Sequence, residues 1–99
     1  DDQALTTGGS SFFGITFNTT GGSAKRLTLI DALTMTNNLT ITAGTIDLNG
    51  SAVNLAGNVS IANNAVWVKG GLVTFNGGAT QSFADGNTIP NNLGNIRID

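Results

Sequence analysis

Between Leu27 and Phe75 a three-residue unit with apolar flanks recurs every six or seven residues: Leu27-Thr28-Leu29, Leu33-Thr34-Met35, Leu39-Thr40-Ile41, Ile46-Asp47-Leu48, Val53-Asn54-Leu55, Val59-Ser60-Ile61, Val66-Trp67-Val68 and Val73-Thr74-Phe75. Alternation inside each unit is the period-two signature of a strand with one buried face. Every third unit falls into a second rhythm, with starts at Leu27, Ile46 and Val66 and at Leu33, Val53 and Val73. The pattern predicts an all-β parallel β-solenoid with about 20 residues and three short strands per coil. An antiparallel β-sandwich is the alternative, but its turns usually come every 8–12 residues, too far apart for these units.

The coils lay out as strands at 27–29, 33–35 and 39–41, then 46–48, 53–55 and 59–61, then 66–68, 73–75 and 81–83. Side chains alternate faces along a strand, so the flanking residues of each triplet point inward and the central ones outward. All inward positions are then apolar except Gln81. The outward columns are Thr28, Asp47, Trp67; Thr34, Asn54, Thr74; and Thr40, Ser60, Ser82. Gly and Asn gather between the units, as in Ala56-Gly57-Asn58 and Asn76-Gly77-Gly78, and suit corners because they reach left-handed backbone at little cost. Asn at matched corners is expected to hydrogen-bond along the stack.

Outside the clear coils of 27–83, residues 1–11 read as a flexible lead-in or an edge strand at Ala4-Leu5-Thr6. Phe12-Phe13-Gly14-Ile15-Thr16-Phe17-Asn18 reads as one strand, and Asn18 to Ser23 as a loop. After a second loop over 84–92, the closing strand 93–99 echoes residues 12–18 at an offset of 81, with Ile96 on Ile15 and Ile98 on Phe17. Residues 12–99 thus form one solenoid module in which the start of a larger repeat returns at the end.

Composition narrows the function classes. Gly, Ser, Thr and Asn make up 14, 6, 14 and 13 of 99 residues, and only 10% are charged. The net charge of −2, with four basic residues, gives no footprint for nucleic acid. No run of 18 apolar residues exists to span a bilayer as a helix, and Asp1-Asp2-Gln3 lacks the start of a secretory signal, as expected of a mature or trimmed chain. Without His or Cys, the usual nucleophilic triads and zinc sites have no ligands, and the six Asp are spread widely. No catalytic residue, cofactor or metal is expected. Asp85-Gly86-Asn87 is a fragment of a cation-loop ligand set, but a plain turn accounts for it.

Trp67 stands out as an outward Trp in a column of small polar residues. It would serve to stack on a sugar or lodge in a neighbouring filament, with Asp47 and Thr28 beside it as further contacts. The simpler reading, which we favour, is cover from Lys25 and Arg26 or a small register change that turns it inward. The Thr columns raise an ice-binding face as a minor alternative, broken in each column by Ser, Asn, Asp or Trp. Asn18, Asn38, Asn49 and Asn58 begin glycosylation sequons, which so Asn- and Thr-rich a chain yields by chance.

The segments Leu39 to Gly50, Gly71 to Gly78 and Leu93 to Asp99 resemble repeat regions of secreted bacterial β-helical surface proteins of the adhesin and autotransporter-passenger type. The resemblance covers most of residues 12–99. It implies export to the bacterial cell surface and a structural role as a self-assembling filament subunit or adhesin stalk. The expected partners are further copies stacked head to tail, or neighbouring repeats of the same chain, through end strands carrying Phe12, Phe13, Ile15, Phe17, Leu93, Ile96 and Ile98. A cell-surface glycan bound through an exposed Trp67 is the alternative.

Overall fold

The triplets fold into strands that pair across turns of the coil, never with the next strand in sequence. The computed structural model describes residues 2–19 and 25–99. Among them the strands are β1 (Gln3–Leu5), β2 (Ser11–Phe12), β3 (Ile15–Phe17), β4 (Arg26–Leu29), β5 (Leu33–Met35), β6 (Leu39–Ile41), β7 (Thr45–Asp47), β8 (Val53–Leu55), β9 (Val59–Ile61), β10 (Val66–Val68), β11 (Val73–Phe75), β12 (Phe83–Asp85) and β13 (Ile96–Ile98). They stack as three sheets: β1-β4-β7-β10, β2-β5-β8-β11-β13 and β3-β6-β9-β12. Every pairing is parallel. The chain is therefore a three-sided parallel β-solenoid, and the antiparallel sandwich is excluded.

The core is the column of inward side chains enclosed by the three sheets. Leu29, Leu33, Met35, Leu39 and Ile41 form one buried layer, and Ile46, Leu48, Val53, Leu55, Val59 and Ile61 the next. Matched positions 20 residues apart hold like residues, as in Leu33 on Val53 on Val73. The six aromatic residues avoid these inner layers. Phe12 and Phe17 pack in the first coil with Phe13 at its corner, while Trp67, Phe75 and Phe83 pack in the fourth. Rings there meet edge to face, Trp67–Phe83 at 5.5 Å and Phe75–Phe83 at 6.5 Å between centroids.

Four expectations are corrected. Residues 12–18 are not one strand: β2 and β3 lie in different sheets, with the corner at Phe13-Gly14. The last strand of the fourth coil is Phe83–Asp85, not 81–83, because Val59 to Phe83 spans 24 residues where Leu39 to Val59 spans 20. The extra residues sit in the corner after β11, where the Gln81 Nε2 donates to the carbonyls of Leu55 and Gly57 and its Oε1 accepts from the Gly77 N–H. Trp67, placed in the outward column by spacing, pairs with Ile46 rather than Asp47, which is the small register change favoured above, so it points inward and is 3% exposed, while Val66 and Val68 are only half-buried. One more residue in the corner before β10 causes this shift, taken up by Asn64 at φ 70°. Finally, the echoing segments lie in different sheets, β3 in the third and β13 in the second, so 81 residues is not a whole number of coils. Of the loop expected from Asn18 to Ser23, residues 20–23 lie outside the described residues.

Corners stack as closely as strands do. The Asn58 N–H donates to the Asn38 side-chain carbonyl and the Ser82 N–H to that of Asn58, a ladder that uses backbone donors rather than amide pairs. Beside it, a Cβ on Gly57 would collide with the carbonyl group of Asn37, whereas one on Gly78 would meet nothing within 4 Å. Gly57→Ala is expected to destabilise the fold by about 1–3 kcal/mol, because backbone rather than a flexible side chain has to yield. Gly78→Ala is expected to stay within about 0.5 kcal/mol. Urea titration of the two variants checks the contrast.

Candidate assembly interface

The two ends of the stack expose what the middle hides. At the lower end, β1, β2 and β3 each pair on one side only, with β4, β5 and β6. Their inward side chains Leu5, Phe12, Ile15 and Phe17 are half-buried against the core, and Phe13 is 74% exposed at the corner. The turn after β1 is tied to the coil above by Asp31. Its Oδ1 accepts from the N–H and hydroxyl of Thr7, and its Oδ2 from the Gly8 N–H. The Thr7 N–H is the main cause holding the Asp31 carboxyl below its usual range, against some desolvation and with help from Gly8 and the Thr7 hydroxyl.

The upper end differs from sheet to sheet. Above β10, where the next strand of the first sheet belongs, residues 86–92 run instead as a strap. The Asn87 Oδ1 accepts from the Asn64 N–H and the Asn91 Oδ1 from the Trp67 N–H. The Nδ2 groups of Asn87 and Asn91 both reach the Ala65 carbonyl. Amide side chains thus occupy backbone groups that would otherwise invite another strand, one way in which sheet edges are protected. Asp85-Gly86-Asn87, which the sequence presents as a plain turn, is part of this cap, and Asn91 joins it.

Asp85 anchors the strap. Oδ1 accepts from the N–H and Nδ2 of Asn87, and Oδ2 from the N–H and Nδ2 of Asn91. Partial desolvation raises the pKa of this carboxyl, but the donors from Asn91 and Asn87 outweigh it and bring it down to about 2. With both oxygens facing N–H groups, the loop is built around an anion rather than a cation. A carboxyl depressed in the folded state contributes stability above its unfolded value of 3.8, and that contribution is lost as pH falls toward 2. Protection of the Asn87 and Asn91 amides, taken relative to intrinsic exchange at each pH, is therefore expected to fall between about pH 4 and pH 2, and to be low at all pH in Asp85→Ala.

The second and third sheets are open at the top. β13 lies on β11 with Ile96 over Val73 and Ile98 over Phe75, continuing the apolar column into a fifth coil. Among the described residues no strand pairs with its outer edge, and Ile96 is 51% and Ile98 72% exposed. Next to it, above β12, is a recess of about 390 Å³ with Phe75, Gln81, Phe83, Ile98 and Asp99 in its walls. Leu93 is half-buried against the core below.

The structure thus places the expected end-strand residues at the two opposite ends, with Phe12, Phe13, Ile15 and Phe17 below and Leu93, Ile96 and Ile98 above. It does not bring Trp67, Asp47 and Thr28 into one surface. Thr28 and Asp47 are neighbours on the first sheet, where Asp47 pairs with the Arg26 guanidinium, but Trp67 lies in the core. A glycan site built on an exposed Trp67 therefore has no platform. Among the described residues no helix is long and apolar enough to cross a membrane. No protein-family model matches this chain, and neither a curated protein nor a solved structure matches it significantly.

Proposed function

We propose that this chain is a structural module that lengthens a β-solenoid by end-to-end strand pairing, as a subunit of a surface filament or a segment of an adhesin stalk outside a bacterial cell. The observation that carries the reading is β13. It extends the second sheet beyond the last complete coil and aligns Ile96 and Ile98 with the core column, yet leaves both exposed. Unpaired edges with apolar residues recruit further strands, and head-to-tail contacts that do not close produce filaments. The resemblance of the repeated triplets to bacterial surface-protein repeats supports the location. In this role the protein transmits load along stacked backbone hydrogen bonds, and the small polar outward columns keep its sides from sticking.

Sedimentation of the 99-residue chain over a wide concentration range tests this. Assembly that grows with concentration is expected, and Ile98→Lys, which puts a charge on an edge residue, should suppress it without changing the far-ultraviolet spectrum. A monomer at every concentration would contradict the reading.

A further inference from the structure

The geometry points to a second copy of this chain docking on the upper end rotated by one face, so that its β3 pairs with β13. This inference rests on the end-to-end stacking proposed above and adds its register. The chain visits the first, second and third sheets in fixed order, and a coil climbs by one strand spacing, roughly 4.8 Å, or roughly 1.6 Å per face. At the upper end the strap covers the first sheet and β13 the second. Among the described residues no strand takes the next step of the ramp, above β12 in the third sheet; the first sheet above the strap and the second above β13 follow it.

A second copy offers β1, β2 and β3 at its lower end, in that order of height. Docked without rotation, its β2 would claim the level β13 already fills. Turned by about 120°, one face of a three-sided coil, its ramp continues the first without a gap. Its β1 then lies on β12, its β2 over the strap and its β3 on β13.

A separate observation selects the same pairing. Ile15-Thr16-Phe17-Asn18 and Ile96-Arg97-Ile98-Asp99 are the echoing segments, and in this fold like residues stack on like, as Ile41 does on Ile61 and Leu39 on Val59. Rotated docking sets Ile15 on Ile96 and Phe17 on Ile98, covering the two exposed isoleucines. It also brings the corner with Phe13 toward Ile89 of the strap, which is 85% exposed.

Cysteine pairing reads the register, because the chain has no Cys of its own. Thr16 and Arg97 are the central, outward residues of β3 and β13. Adjacent strands at about 4.8 Å lie within the Cα separation a disulfide accepts, about 4.4–6.8 Å. Single variants Thr16→Cys and Arg97→Cys are mixed and oxidised, beside a mixture of Thr16→Cys and Ala84→Cys, while sedimentation follows assembly. The expected result is about tenfold more 16–97 than 16–84 dimer, since only the docked pair gains effective concentration. A dominant 16–84 product, or assemblies in which neither pair links, overturns the rotated register and leaves end-to-end stacking standing. Absence of both links together with a monomer throughout overturns the stacking as well.

Discussion

Trp67→Ala should lower the unfolding free energy by about 3–5 kcal/mol, the range for removing a buried aromatic ring. The side chain is enclosed between the strap and the Ile46 layer, edge-on to Phe83, which in turn meets Phe75. Its loss would leave the aromatic layer of the fourth coil without its largest member, under a strap held by polar contacts that cannot collapse onto the void. Trp67→Phe should cost much less. The Trp67 Nε1 is buried with no hydrogen-bond partner among the described residues, and an unmet buried donor carries a penalty of about 1–3 kcal/mol that Phe removes. Urea titrations of the two variants by circular dichroism give the comparison. A shift below about 1 kcal/mol for the alanine variant would show that the ring is not part of the core.

Leu55→Ala is expected to cost about 2–5 kcal/mol, and Ile98→Ala below about 0.5 kcal/mol in the monomer. Both belong to the apolar column of the second sheet. Leu55 is fully buried, with Met35 and Phe75 as its in-register neighbours, whereas Ile98 sits over Phe75 with no described strand above it. Matched unfolding curves at low concentration read the difference. Similar losses at the two sites would mean that the fifth coil is covered in the monomer and that the upper edge is not open.

The inner coils were legible because Leu33, Val53 and Val73 hold a constant spacing, and spacing is what a stacked parallel strand needs. Where a corner absorbed extra residues, the same arithmetic misled. A residue added before β10 exchanged the inward and outward faces of Val66, Trp67 and Val68, since a slip of one residue reverses every side chain in a strand. The longer corner around Gln81 moved β12 by two residues, which preserved the alternation but put Phe83 at its start. Gln81 itself, the one polar residue assigned to the core, became a corner clamp instead.

The interface was half legible. Apolar residues in both end segments were visible in the chain, and so was their echo, but their sheets were not, because no spacing rule counts a strap as a strand position. The cap was hidden for a related reason. Asn87 and Asn91, held locally by Asp85, act across the stack on Asn64, Ala65 and Trp67, and those partners are 22 to 26 residues away.

Electron microscopy of the purified 99-residue chain at high concentration tests end-to-end stacking most directly. The account predicts unbranched rods of one solenoid's width, near the 35 × 31 Å of the two longer extents of the subunit, with an axial repeat of roughly 4.8 Å from the stacked strands. Isolated particles of about one subunit's size at every concentration would contradict it.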